Sequence, residues 1–243
     1  MRIAEDKSVG GTATGIASSL ATEVCGNLKL ISPEMQEIYP FLGYPRGTSP
    51  APLIAERISR LVEESSSCLE PLGTFSVYPL SKRTGHSMTV GDVTIRGDIA
   101  QYLEHADRVA VFLVTIGERI SRHSSDLRRS GDAFAAWVVD AFGSWATEAA
   151  ADALMERLRH HLGAEEALTL RYSPGYCGME MSQQRKLFRL ISADSIGVQL
   201  LPSLLMQPLK SISGLVGLGP KEGVLTFLSA CDRCPQVGCH MRR

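Results

Sequence analysis

Two stretches of the sequence carry residue types whose spacing could do chemistry. The first is Arg171-Tyr172-Ser173-Pro174-Gly175-Tyr176. Pro174 fixes its own φ and pushes Ser173 towards extended backbone, while Gly175 can take a positive φ and let a ligand approach without a Cβ in the way. Arg171 supplies a planar, permanently charged fork suited to a carboxylate, and Tyr176 a ring face with a hydroxyl tip. Taken alone, the pattern fits a purely structural tight loop as well as a ligand site. The second stretch is Cys231-x-x-Cys234-x-x-x-x-Cys239, followed by His240. Three thiolates so close together suit zinc or an iron–sulfur cluster, and Cys177, directly after Tyr176, is the preferred fourth ligand, with His240 as the other choice. Reduced structural or surface cysteines are the competing reading.

These residues need a scaffold. A chain of 243 residues suits one domain with a sizeable core, and 44% hydrophobic with 21% charged residues is an ordinary globular composition. A net charge of −1 gives no global attraction to nucleic acid or to an anionic membrane. No apolar run approaches the roughly 18 residues of a membrane span, and the first twenty residues lack a signal-peptide core. The expectation is a cytoplasmic protein, where six cysteines do not make a disulfide scaffold.

The periodicity predicts helices over residues 33–41, 51–66, 98–106, 118–129 and 182–190. The longest helix runs from an Asp132 N-cap to Gly163, with a bend at Gly143-Ser144. Residues 16–31 read as a helix followed by a short extended piece. Strands are expected over 74–80, over 87–90 and 93–96 around a Gly91-Asp92 hairpin turn, over 108–116 and over 167–171. Residues 197–204, 211–218 and 223–229 also read as extended. Residues 108–116 are apolar on both faces and so belong to a central strand. Trp137 and Trp145 read as core. Without regular βαβ alternation, the fold class is α+β, with a largely antiparallel twisted sheet and helices packed around it. No Ser-His-Asp or Cys-His arrangement, Walker loop or Gly-x-Gly-x-x-Gly after a strand stands out, so no catalytic residue is assigned.

The hexapeptide resembles the Arg-x-x-Pro-Gly-Tyr signature of the activation domain of cobalamin-dependent methionine synthase. Met206-Gln207-Pro208-Leu209-Lys210-Ser211-Ile212-Ser213-Gly214 resembles the family's Met-x-Pro-x-x-Ser-Val-Ser-Gly pattern. Leu42-Gly43-Tyr44, Thr115-Ile116-Gly117 and Met155-Glu156-Arg157-Leu158 are similar to its free-standing members. The resemblance implies an S-adenosylmethionine site at Arg171, Ser173, Gly175 and Tyr176, with Asp152 as the acidic residue on the long helix and Glu156 one turn on. It also implies reductive remethylation of cob(II)alamin on a separate cobalamin-binding methyltransferase such as methionine synthase. One electron would come from a donor such as flavodoxin or ferredoxin. The Asp-x-His-x-x-Gly cobalamin motif is missing, so a partner would present the cobalamin. Val224 and Leu225 stand about where full-length enzymes have a ligand-touching aromatic pair. The expected division is an N-terminal extension over 1–32, the activation domain over 33–229 and a cysteine-rich tail over 230–243. The alternative function is a non-catalytic, metal-bearing adaptor that recognises a partner through this tail.

Overall fold

The computed structural model describes residues 20–176 and 178–224. In chain order the elements are β1 (Ala21–Cys25), α1 (Met35–Ile38), α2 (Pro52–Ser65), β2 (Leu72–Thr84), β3 (Ser87–Val90), β4 (Val93–Arg96), α3 (Ile99–Tyr102) and β5 (Arg108–Thr115). They continue with α4 (Arg119–Arg129), α5 (Ala133–Arg159), β6 (Glu166–Leu168), α6 (Gln184–Leu190), β7 (Gln199–Leu200), β8 (Met206–Gln207), β9 (Ser211–Pro220) and α7 (Lys221–Val224).

The apolar run 108–116 becomes β5, the middle of a seven-stranded sheet ordered β4-β3-β2-β5-β9-β6, with β1 on a second stretch of β2. Every pairing in it is antiparallel. Side chains alternate across a strand. Ala110, Phe112 and Val114 therefore join one core cluster, and Val109, Val111 and Leu113 join another on the opposite face. The first face is covered by α5, through Val138, Phe142, Ala146, Ala150 and Leu154. Its alanines let the helix axis come close to the sheet. The second face is covered by the β3–β4 hairpin, α3 and α6, through residues such as Met88, Ile95, Ile99 and Leu187. This α+β arrangement is the expected one.

Local signals explain the boundaries. Asp132 caps α5 by accepting from the Ala135 amide at 2.9 Å. That bond, then Arg57, holds its carboxyl below the usual carboxylate range. Gly91, at φ +57°, makes the β3–β4 turn.

Other expectations are corrected. Part of the segment expected to be helical is the strand β1, which pairs with β2 from Ala21↔Val77 to Cys25↔Gly73; an open ladder beside β2 outweighs weak helix propensity there. The long helix is continuous through Gly143-Ser144, and Gly143 serves for close packing. A Cβ there would lie 3.3 Å from Ile120 and from the Lys210 side chain. Only Gln199–Leu200 of the 197–204 stretch is a strand, and the chain turns back through Leu204 at φ +70°. Gly223 and Val224 lie in the helical turn α7, and residues 225–229 of that expected strand lie outside the described residues. Trp137 is 44% exposed, stacked edge-on against Phe134 rather than in the core.

Candidate functional site around Arg171 and helix α5

The hexapeptide leaves β6 and is stitched to β9. Tyr172 and Leu215 exchange both backbone hydrogen bonds, at 2.9 and 2.8 Å. The Tyr172 ring is buried against Tyr102, with centroids 5.3 Å apart. Beyond this anchor the turn closes on itself. The Tyr176 amide donates to the Ser173 carbonyl at 3.1 Å, and the Gly175 amide to the Met179 carbonyl at 2.7 Å. Gly175 sits at φ +99°, as its position in the motif predicts, and is exposed. Tyr176 projects outward, 66% exposed. The loop therefore offers a ligand an accessible glycine, an aromatic face and side chains. The amides of Gly175 and Tyr176 are spent inside the turn.

Arg171 points towards α5 and is 21% exposed. Its Nη2 donates to Glu148 Oε2 at 3.0 Å, and its Nη1 lies 2.7 Å from Asp152 Oδ1. The second contact is an ion pair without hydrogen-bond alignment: Nη1 is buried and has no hydrogen-bond partner. Asp152 is thus brought to Arg171. Glu156 is not; it pairs with Arg159 on its own helix. Glu148 was missed by sequence reasoning. The available signal was helical spacing, because a residue four before Asp152 shares its face. A groove continues from these two carboxylates along α5, lined also by Trp145 and Glu156 and, across from the helix, by Phe41 and Arg46.

The second motif docks on the same helix. Lys210 Nζ lies 2.9 Å from Asp140 Oδ1, 3.0 Å from the Asp140 carbonyl and 2.8 Å from Ser144 Oγ, with its side chain 11% exposed. The Ser211 hydroxyl lies 2.9 Å from Thr115 Oγ1 and 2.7 Å from the Pro208 carbonyl. That joins the motif to Thr115-Ile116-Gly117. Gly214 has a steric reason: a Cβ there would sit 2.6 Å from the Tyr172 carbonyl and 2.8 Å from the Phe112 ring. The two motifs therefore belong together physically. One supplies the glycine that lets the other's backbone approach, and each contributes a cation to one stripe of α5.

The proposed metal ligands Cys177, Cys231, Cys234 and Cys239, with His240 and Leu225, lie outside the described residues. Among the described residues, no group of three or more His, Cys, Asp or Glu side chains is placed to hold a metal ion. Val224 is buried and packs beside Gly219, so it does not replace an exposed aromatic. No described helix is long and apolar enough to cross a membrane.

A curled antiparallel sheet with a long helix clamped by two cation-bearing loops defines an α+β architecture. Residues 95–226 match the family described as vitamin B12 dependent methionine synthase, activation domain. The match spans more than half of the chain, which belongs to this family. The fold is similar to a crystal structure of the MetH reactivation domain bound to AdoHcy, with a TM-score of 0.61 and 17% identity, over 85% of this chain and 81% of that one. No curated protein matches the sequence.

Proposed function

We propose that the protein binds S-adenosylmethionine at the Arg171–Tyr176 loop and supports reductive remethylation of cob(II)alamin on a separate cobalamin-dependent methyltransferase. The observation that carries the reading is the placement of Arg171, a partly exposed guanidinium beside two carboxylates, in the same loop as an accessible glycine and an exposed tyrosine. An α-amino acid head has one anionic and one cationic end. Arg171 takes the carboxylate through a charge-assisted hydrogen bond, and Asp152 takes the ammonium. Ser173, Gly175 and Tyr176 border the nucleoside end, Tyr176 with a π-face. Family membership and the AdoHcy-bound structural neighbour support the choice of ligand.

The protein's part is placement. Remethylation consumes one electron and one methyl group, and its nucleophile is the cob(I)alamin of the partner. The protein holds the sulfonium methyl in line and keeps the ligand's head fixed. Partner and electron donor are both separate polypeptides in this reading. The metal centre at Cys177, Cys231, Cys234 and Cys239 is a separable proposal, tested by metal analysis of the purified protein.

Calorimetric titration with S-adenosylmethionine tests the binding claim, with saturable one-to-one heat expected. An absorbance assay of cob(II)alamin on a candidate corrinoid methyltransferase tests the rest. With reductant present, methylcobalamin formation is expected to need both this protein and S-adenosylmethionine. Absence of binding heat, or of any acceleration across corrinoid partners, would contradict the proposal.

A further inference from the structure

The environment of Arg171 holds more than a cation waiting for an anion. Two carboxylates already occupy it, and they do so unequally. Glu148 makes the aligned hydrogen bond, at 3.0 Å to Nη2, while Asp152 makes a close contact to Nη1 that leaves this nitrogen without a hydrogen-bond partner. Both acids lie on the solvent side of the pair, 47% and 71% exposed, whereas the arginine is 21% exposed. Swinging either carboxylate into water costs little, because partly exposed ion pairs contribute only about 0–1 kcal/mol. Moving the guanidinium would cost more. Its backbone neighbour Tyr172 is fixed to Leu215 by two hydrogen bonds.

From this asymmetry we infer that Glu148 is an internal competitor, a positioning residue that occupies the carboxylate place on Arg171 until a ligand's own carboxylate displaces it. The inference rests on the reading of this loop as the S-adenosylmethionine site. On binding, the ligand carboxylate takes the edge of Arg171 that Glu148 holds, and Asp152 turns to the ligand ammonium. No bond is made or broken, and one ion pair is exchanged for another. The competitor sets a threshold. A ligand without a carboxylate cannot displace Glu148, so the same contact selects for molecules that carry the complete amino acid head. In the empty site it also spares the guanidinium from lying desolvated without an anion.

The two acids on α5 are therefore expected to act with opposite sign. Glu148→Gln keeps size and polarity but loses the charge that competes, and is expected to tighten S-adenosylmethionine binding about three- to fivefold, the size of a partly exposed ion pair. Asp152→Asn loses the ammonium's partner and is expected to weaken it. Loss of packing would not tighten a ligand, so the sign separates competition from a structural role. Glu148→Asp, with a shorter reach to Nη2, is the second variant and is also expected to tighten binding. The experiment is calorimetry on the full chain with S-adenosylmethionine and, in parallel, 5′-methylthioadenosine, which lacks the amino acid head. For the latter both Glu148 variants should match the wild type. If wild type binds S-adenosylmethionine but neither Glu148 variant binds it more tightly, or if 5′-methylthioadenosine gains equally, the competitor role is overturned alone. If wild type does not bind S-adenosylmethionine, the functional reading fails and the competitor role with it.

Discussion

Lys210 and Arg171 look alike in outline and differ in what surrounds them. Each comes from one of the two C-terminal motifs, each reaches α5, and each meets an aspartate there. Lys210 is closed in: its ammonium has three oxygen partners within 3.0 Å, one for each of its protons. Arg171 is left open. Its acids face solvent, and one of its nitrogens has no hydrogen-bond partner. A cation whose donors are all spent within the fold serves the fold. A cation held by solvent-exposed carboxylates, with donor capacity in reserve, can exchange partners. The difference divides one stripe of α5 into a structural half near Asp140 and, in the proposed reading, a ligand half near Asp152.

The largest effect should come from the contact that holds the two motifs together. Gly214→Ala puts a methyl 2.6 Å from the Tyr172 carbonyl, backbone that cannot step aside. A loss of about 3 kcal/mol is expected in denaturant unfolding, with the Arg171 loop displaced. Next comes Lys210→Met, which keeps the apolar stem but leaves the Asp140 and Ser144 oxygens without their donor. It should cost about 1–3 kcal/mol, seen as a lower Tm at roughly 2–4 °C per kcal/mol for a chain of this size. If Lys210→Met melts like the wild type, Lys210 is no clamp and the comparison loses its structural half.

A smaller effect concerns pH. The Glu166 carboxyl lies below its ordinary value of 4.5, chiefly because it accepts from the Gly163 amide and then from Arg108. A depressed folded pKa means that its contribution is present above the unfolded value and fades as pH falls below about 4.5 through the folded one. Melts between about pH 6 and pH 3 should therefore fall less steeply for Glu166→Gln than for wild type. S-adenosylmethionine affinity at neutral pH should be unchanged by this substitution, since Glu166 lies on β6, outside the Arg171 contacts.

What was legible in the sequence follows from range. β5, the Gly91-Asp92 hairpin and the Asp132 cap depend on residues a few positions apart, and the sequence reading places all three. β1 depends on an edge of β2 about fifty residues away, so local propensity misassigns it. Trp137 misleads because α5 is apolar around much of its circumference, and only its packing against the sheet and α4 decides which large side chains stay outside. Within the site, the positive φ of Gly175 agrees with expectation, while the contact of Asp152 with Arg171 is a long-range pairing that the sequence did not foretell. Glu148 was hidden because nothing local says which turn of a 27-residue helix faces the arginine. The bond from the Gly175 amide to the Met179 carbonyl was hidden because no local sequence signal marks that pairing.

The most direct test of the account sets the two cations side by side in calorimetry with S-adenosylmethionine, below the melting temperature of every variant. Arg171→Ala should lose about 1.5–3 kcal/mol of binding, roughly ten- to hundredfold in Kd, while its Tm stays close to wild type. Lys210→Met should show the reverse, a lowered Tm with affinity close to wild type. Equal affinity of Arg171→Ala and wild type would remove Arg171 from the site and contradict the central claim.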